Sequence, residues 1–201
     1  MKIFSLMLLL SLAVFGLTGC PGNATNTAGN NANSNTRATN SNANTMNSNV
    51  NAANTAGDTS SASGFMMEAA RGGMAEVELS RPAQTKAQNT DVKAFAQKMV
   101  QDHTNANTEL KALAAKKNVT LPTEMDAAHK AMAESMGKLS GAEFDKAYVN
   151  AMVADHEKSV ALFQSQADSG TDADAKAWAA KTLPNLKMHL EMIKDIQGKM
   201  K

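Results

Sequence analysis

The chain of 201 residues holds one cysteine, one tryptophan, one tyrosine and four prolines. With Cys20 alone, neither a disulfide framework nor a thiolate metal cluster can be built within the chain. The formal net charge is +1 with acids and bases interspersed, which indicates neither a nucleic-acid footprint nor a channel for acidic substrates. Ile, Tyr and Trp are scarce while Ala, Met, Lys, Glu and Gln dominate, so strands have little support and the class is all-α. No apolar run is long enough for a permanent membrane span; the most apolar, Ile3 to Phe15, falls short of the roughly 20 residues required. Neither a Ser-His-Asp spacing, nor a Gly-rich nucleophile elbow, nor a paired-carboxylate arrangement stands out, and no catalytic residue is assigned.

What is present begins with a targeting segment. Lys2 followed by the Ile3–Phe15 run reads as a secretory signal. It ends in Leu17-Thr18-Gly19-Cys20, which resembles the lipobox of bacterial lipoproteins and implies that residues 1–19 are removed and Cys20 carries the lipid. Two acyl chains, at ~0.8 kcal/mol per buried methylene, suffice for stable anchoring. Position 21 is Pro rather than Asp, which points to the outer membrane, facing the periplasm. Through residues 20–63 the chain is Asn, Thr, Ser, Ala and Gly; 13 of the 43 residues from Pro21 to Ser63 are Asn. Such a segment cannot offset its ordering entropy and reads as a tether averaging ~35 to 40 Å end to end.

Residues 64–201 suffice for one domain with a single core. Helical patterning covers 65–88, 91–117, 142–168 and 172–198, with a shorter helix at about 124–138. Thr90 is the expected N-cap of the second, and Ser140 with Glu143 forms the expected capping box of the third long helix. Pro82 and Pro184 fall inside helical patterns and are expected to kink or break them. The long connection between the second and third long helices, against short links elsewhere, is the mark of a ferritin-like four-helix bundle with a long crossover carrying a short fifth helix.

Lys93–His103 (KAFAQKMVQDH) returns as Lys146–His156 (KAYVNAMVADH), so one helical unit is used twice and a histidine stands at matching places on two helices. The apolar seams advance in alternating steps of four and three residues: Val92, Ala96, Met99, His103, Ala106 and Leu110 on one helix, Ala179, Thr182, Leu186, His189 and Ile193 on another. Each long helix then carries one ligand-type residue mid-seam: Glu76, His103, His156 and His189. Burying a carboxylate and three imidazoles costs free energy unless they bond one another or hold an ion. Asp102 and Asp155, one residue and about 100° off the seam, either orient a neighbouring histidine as outer partners or face water. His129, on the crossover helix, reads as peripheral.

The segments GGMAEVEL (72–79), VKAFAQKMVQDH (92–103), KNVTLP (117–122), MVADH (152–156) and KTLPNLKMHL (181–190) make the chain resemble a bacterial ferritin-like family, the domain of unknown function 4142, over about residues 64–198. The resemblance implies an exported, often lipid-anchored four-helix bundle and carries no reaction with it. Ferritin-like di-iron sites use Glu-x-x-His on two helices; this sequence has none, so that chemistry has no support and an enzyme is not expected. Glu76 with the three histidines nevertheless suits copper, zinc or iron, and the sequence does not choose among them. Methionine precedes three histidines by four residues (Met99/His103, Met125/His129, Met152/His156), which suits copper or, more blandly, core filling. Two readings stand open: a non-enzymatic binding or envelope-stress module tethered to the membrane through Cys20, or a transition-metal or redox protein. No nucleic-acid partner is expected, and no protein partner is named.

Overall fold

A computed structural model describes residues 58–200; the signal segment, Cys20 and nearly all of the tether lie outside the described residues. Five helices follow: α1 (Ala62–Lys86), α2 (Thr90–Lys116), α3 (Ala127–Gly137), α4 (Gly141–Ser169) and α5 (Ala173–Lys199), with no strand among the described residues. The class is all-α, as composition required.

The bundle follows from which pairs meet. Glu76 meets His103 and Gly73 meets Asn107 across α1 and α2, while Ser80 meets Tyr148 and Phe65 meets Phe163 across α1 and α4. Asp91 meets Lys199 and Lys117 meets Asp172 across α2 and α5; Asn150 meets Gln197 and Gln164 meets Lys187 across α4 and α5. In each pair, rising numbers on one helix face falling numbers on the other, so all neighbours are antiparallel. The order is up-down-down-up, and residues 117–140, carrying α3, run the length of the bundle as the one long crossover.

Helix ends depart from the expected chemistry in two places. The N-cap of α2 is Asn89, whose side chain accepts from Asp91 N and Val92 N; Thr90 is already helical. Ser140 precedes α4 but makes no side-chain cap bond, so the expected capping box is not formed. The start of α4 is instead shaped by Gly141, whose φ of +58° is ordinary for glycine and costly for any other residue. Asp145, one turn on, reaches out of the helix and accepts from Gln88 N and Asn89 N, clasping the α1–α2 turn. Pro82 and Pro184 do not break α1 or α5; both are exposed, so each ring sits on a solvent face while the buried face packs on through it.

The apolar core is divided. One cluster holds Leu79, Val92, Phe95, Met99, Tyr148, Met152 and Ile193; the other holds Phe65, Met66, Leu110, Phe163, Trp178 and Leu186. Between the two, at mid-height, lies a polar layer.

Candidate metal centre

Glu76, His103, His156 and His189 make that layer, each contributed by a different long helix and each at most 5% exposed. The seam stepping puts them there: a residue four or three positions beyond a buried one returns to the same face. Antiparallel packing then brings four helix midpoints to one level. The imidazole centroids are 5.6 Å apart for His103 and His156, 5.3 Å for His103 and His189, and 5.5 Å for His156 and His189. Phe95 stands edge-on to His156 and His189, closing the layer on its apolar side.

Each imidazole is held by one nitrogen. His103 Nδ1 lies 2.9 Å from Glu76 Oε2, His156 Nδ1 is 2.9 Å from the Met152 carbonyl oxygen, and His189 Nε2 is 2.8 Å from Asp102 Oδ2. Those partners are all acceptors, so each held nitrogen is the donor, and in the neutral ring the other nitrogen presents a lone pair. These remaining nitrogens, His103 Nε2, His156 Nε2 and His189 Nδ1, are buried without a hydrogen-bond partner among the described residues, as is Glu76 Oε1. One ring nitrogen from each histidine lies within 4.8 Å of the other two. Nitrogens on one ion at ~2.0–2.1 Å lie up to about 4 Å apart, so closing on a cation needs movement of under roughly 1 Å. The layer borders a cavity of about 30 Å³, lined also by Gly73, Asn107, Thr182 and Asn185, with room for a water or two. A Cβ at Gly73 would fall on the Asn107 side chain, so that glycine makes room for Asn107 where α1 and α2 meet.

Charge is distributed to suit. Burial alone would raise the Glu76 carboxyl, but the charges of His103 and His156 and the His103 hydrogen bond outweigh it and hold it at about 2. Burial likewise opposes charge on His103, yet Glu76 wins and its pKa is raised. His156 is pushed down, chiefly by burial. Burial, with the neighbouring His103 charge, brings His189 down to about 4 despite its bond to Asp102. The layer therefore offers an anionic carboxylate, two imidazoles pushed toward the neutral form, and His103, whose proton Glu76 favours and a bound cation would displace.

The residues singled out from the sequence fall as follows. The structure brings Glu76, His103, His156 and His189 together. Asp102 reaches a histidine of the neighbouring helix, as one of its two readings had it, and is itself held by Lys98 Nζ at 2.9 Å and Asn185 Nδ2 at 3.3 Å. Asp155 does not: one residue from His156, it is turned toward α3, and its Oδ2 lies 3.9 Å from His129 Nε2. Of its two readings, an outer partner of a histidine or a residue facing water, neither is met as stated: it is 7% exposed and its nearest histidine is His129, outside the triad. Met99 and Met152 pack in the apolar cluster with Phe95 and Tyr148, as core fillers. Sequence reasoning missed the Met152 carbonyl as the anchor of His156; the four-residue spacing within one helix was the available signal.

The sequence profile of the Domain of unknown function (DUF4142) matches residues 47–196. The chain belongs to this DUF4142 family. Comparison with curated proteins finds no match. Among solved structures, this DUF4142 chain is similar to a DUF305 fragment from Deinococcus radiodurans at 12% identity and TM-score 0.61, over 69% of this chain and 95% of that one. A DUF305 protein from Streptomyces coelicolor matches at 14% and 0.60, over 71% and 94%. CopM in the Cu(II)-bound form matches at 14% and 0.60, over 70% and 98%. At these identities the likeness is one of fold: a helical bundle that the DUF4142 chain shares with the DUF305 proteins and with CopM.

Proposed function

We propose that this protein is an extracytoplasmic, Cys20-anchored binder of a transition cation, held by His103, His156 and His189 with Glu76 beside it. The observation that carries the reading is that one nitrogen from each of three buried imidazoles lies within 4.8 Å of the others, and that each ring has one nitrogen fixed and one without a partner. An unpaired buried polar atom costs about 1–3 kcal/mol, so leaving one on each of three neighbouring rings, beside a Glu76 Oε1 whose nearest ring nitrogen is His156 Nδ1 at 3.4 Å, is expensive unless something occupies the gap. Ring nitrogens fixed on carboxylate and carbonyl partners are the usual support of histidine ligands. Imidazole and carboxylate donors suit zinc, iron and copper; at a site of given donors Cu(II) binds most tightly of the first-row divalent ions. That CopM, of the same fold, is known in a Cu(II)-bound form supports copper as the first cation to test. The ion, when bound, supplies a fixed positive charge and, for copper, a redox couple; the chain's own residues hold the imidazoles in place and keep bulk water out.

Calorimetric titration of the exported chain with Cu(II) and Zn(II) should give one tight equivalent, tighter for Cu(II), lost in the His103→Ala, His156→Ala double variant. Equal binding by the double variant would overturn the reading. Anchoring is checked separately: Cys20→Ser should abolish incorporation of labelled palmitate and release the chain from the membrane fraction.

A further inference from the structure

A second polar site lies outside the triad, where the crossover helix packs over α4. The His129 backbone N–H is 2.8 Å from Asp126 Oδ1, and its ring Nδ1 is 2.9 Å from Asp126 Oδ2. The N-cap of α3 thus fixes this ring, with Nδ1 as donor, and leaves Nε2 as an acceptor. That nitrogen lies 3.9 Å from Asp155 Oδ2. Asp155 is only 7% exposed, and its Oδ2 has no hydrogen-bond partner among the described residues. Lys158 Nζ stands 4.0 Å from the other oxygen, Oδ1, on a side chain that is 81% exposed. His129 and Asp155 both line an open pocket of about 260 Å³ whose wall includes Glu68, Gly72 and Ser159.

Two lone-pair atoms facing each other across a gap too long for a hydrogen bond repel unless a positive centre joins them. A cation at ~2.0–2.2 Å from each spans 3.9 Å, and the open pocket leaves its remaining positions to water. We propose that His129 Nε2 and Asp155 Oδ2 form a second site for a divalent transition cation, beside an open pocket with Glu68 at its rim. This site stands independently of the triad. It is weaker, having two protein ligands in place of three imidazoles, and borders the inner site through the Asp155–His156 peptide.

The test is calorimetric titration of the exported full chain with Zn(II), which is free of redox chemistry. Four chains are compared: wild type, His129→Gln, Asp155→Asn, and the His103→Ala, His156→Ala double variant, each with helicity checked by circular dichroism. His129 lies on a different helix from every triad residue, so His129→Gln spares the inner site. The expected result is a second, weaker equivalent in the wild type that His129→Gln and Asp155→Asn both lose. Retention of that equivalent by the double variant, with loss of the tight one, is expected if both sites hold. A binding event lost in His129→Gln but kept by the double variant supports this site even where the triad binds nothing. A titration curve of His129→Gln superimposable on that of the wild type overturns the proposal and identifies the His129–Asp155 gap as a water bridge.

Discussion

At the scale of single residues, the candidate centre is defined less by its three histidines than by what holds them. Glu76, the Met152 carbonyl and Asp102 each take one ring nitrogen, so the other is aimed before any ion arrives. Of the three anchors, Asp102 is open to the cleanest substitution, being partly exposed and on the outer side of the layer. Asp102→Asn keeps the shape and removes the charge that orients and polarises His189. Partners of this kind are worth about 10–100-fold in metal affinity. Cu(II) affinity should fall by that range, with circular dichroism unchanged; an unaltered dissociation constant would remove Asp102 from any positioning role. Much of this centre was legible beforehand, because four ligand-type residues at mid-seam is a pattern one helix wheel reveals. The anchors were less so. Asp102 and Asp155 occupy equivalent places in the internal repeat, yet one meets His189 and the other His129. The repeat sets the angle of each side chain on its own helix, whereas the identity of the facing helix is a property of the assembled bundle.

Among the helices, the links at the ends hold the register that brings the four midpoints level. Lys117, at the C-terminus of α2, lies 2.6 Å from Asp172 and 2.7 Å from Asp174 at the start of α5. The Lys117 hydrogen bond and the Ala175 backbone N–H lower the Asp172 carboxyl; the Lys117 and Lys116 bonds lower that of Asp174. Both carboxyls are held below their unfolded values, so the stability they contribute is present above roughly pH 4 and is lost as pH falls through their folded values. Lys117→Met should therefore lower the melting temperature at pH 7, with the difference between the two chains shrinking as pH falls below about 4. A difference that persists unchanged at pH 3 would mean that the lysine stem, not its charge, matters. The helices themselves were readable from apolar periodicity, since the period is local to each segment. Their caps were not: Asn89 displaces Thr90, Ser140 forms no box, and Asp145 clasps a turn some 57 residues earlier in the chain. Cap choice depends on which neighbouring backbone N–H groups the tertiary fold leaves unpaired, and that is not written in the spacing.

For the molecule as a whole, the polar layer separates two apolar clusters that would otherwise form one continuous core. Filling mid-bundle positions with imidazole and carboxylate forgoes apolar burial there, and unpaired lone pairs add a further cost. A cation that binds only the assembled layer returns stability through mass action, because the unfolded chain spreads the same ligands over four segments that no longer meet. With free Cu(II) at about 100 times its dissociation constant, that linkage amounts to about 2.7 kcal/mol. For a domain of this size it corresponds to a rise in melting temperature of roughly 10 °C. The rise should increase logarithmically with Cu(II) concentration and vanish in the His103→Ala, His156→Ala double variant. A melting temperature indifferent to Cu(II) and Zn(II) in the wild type would mean that the layer is stable without an ion. The four mid-bundle side chains would then serve to fix which helices pair, at a cost in stability that an all-apolar layer would recover.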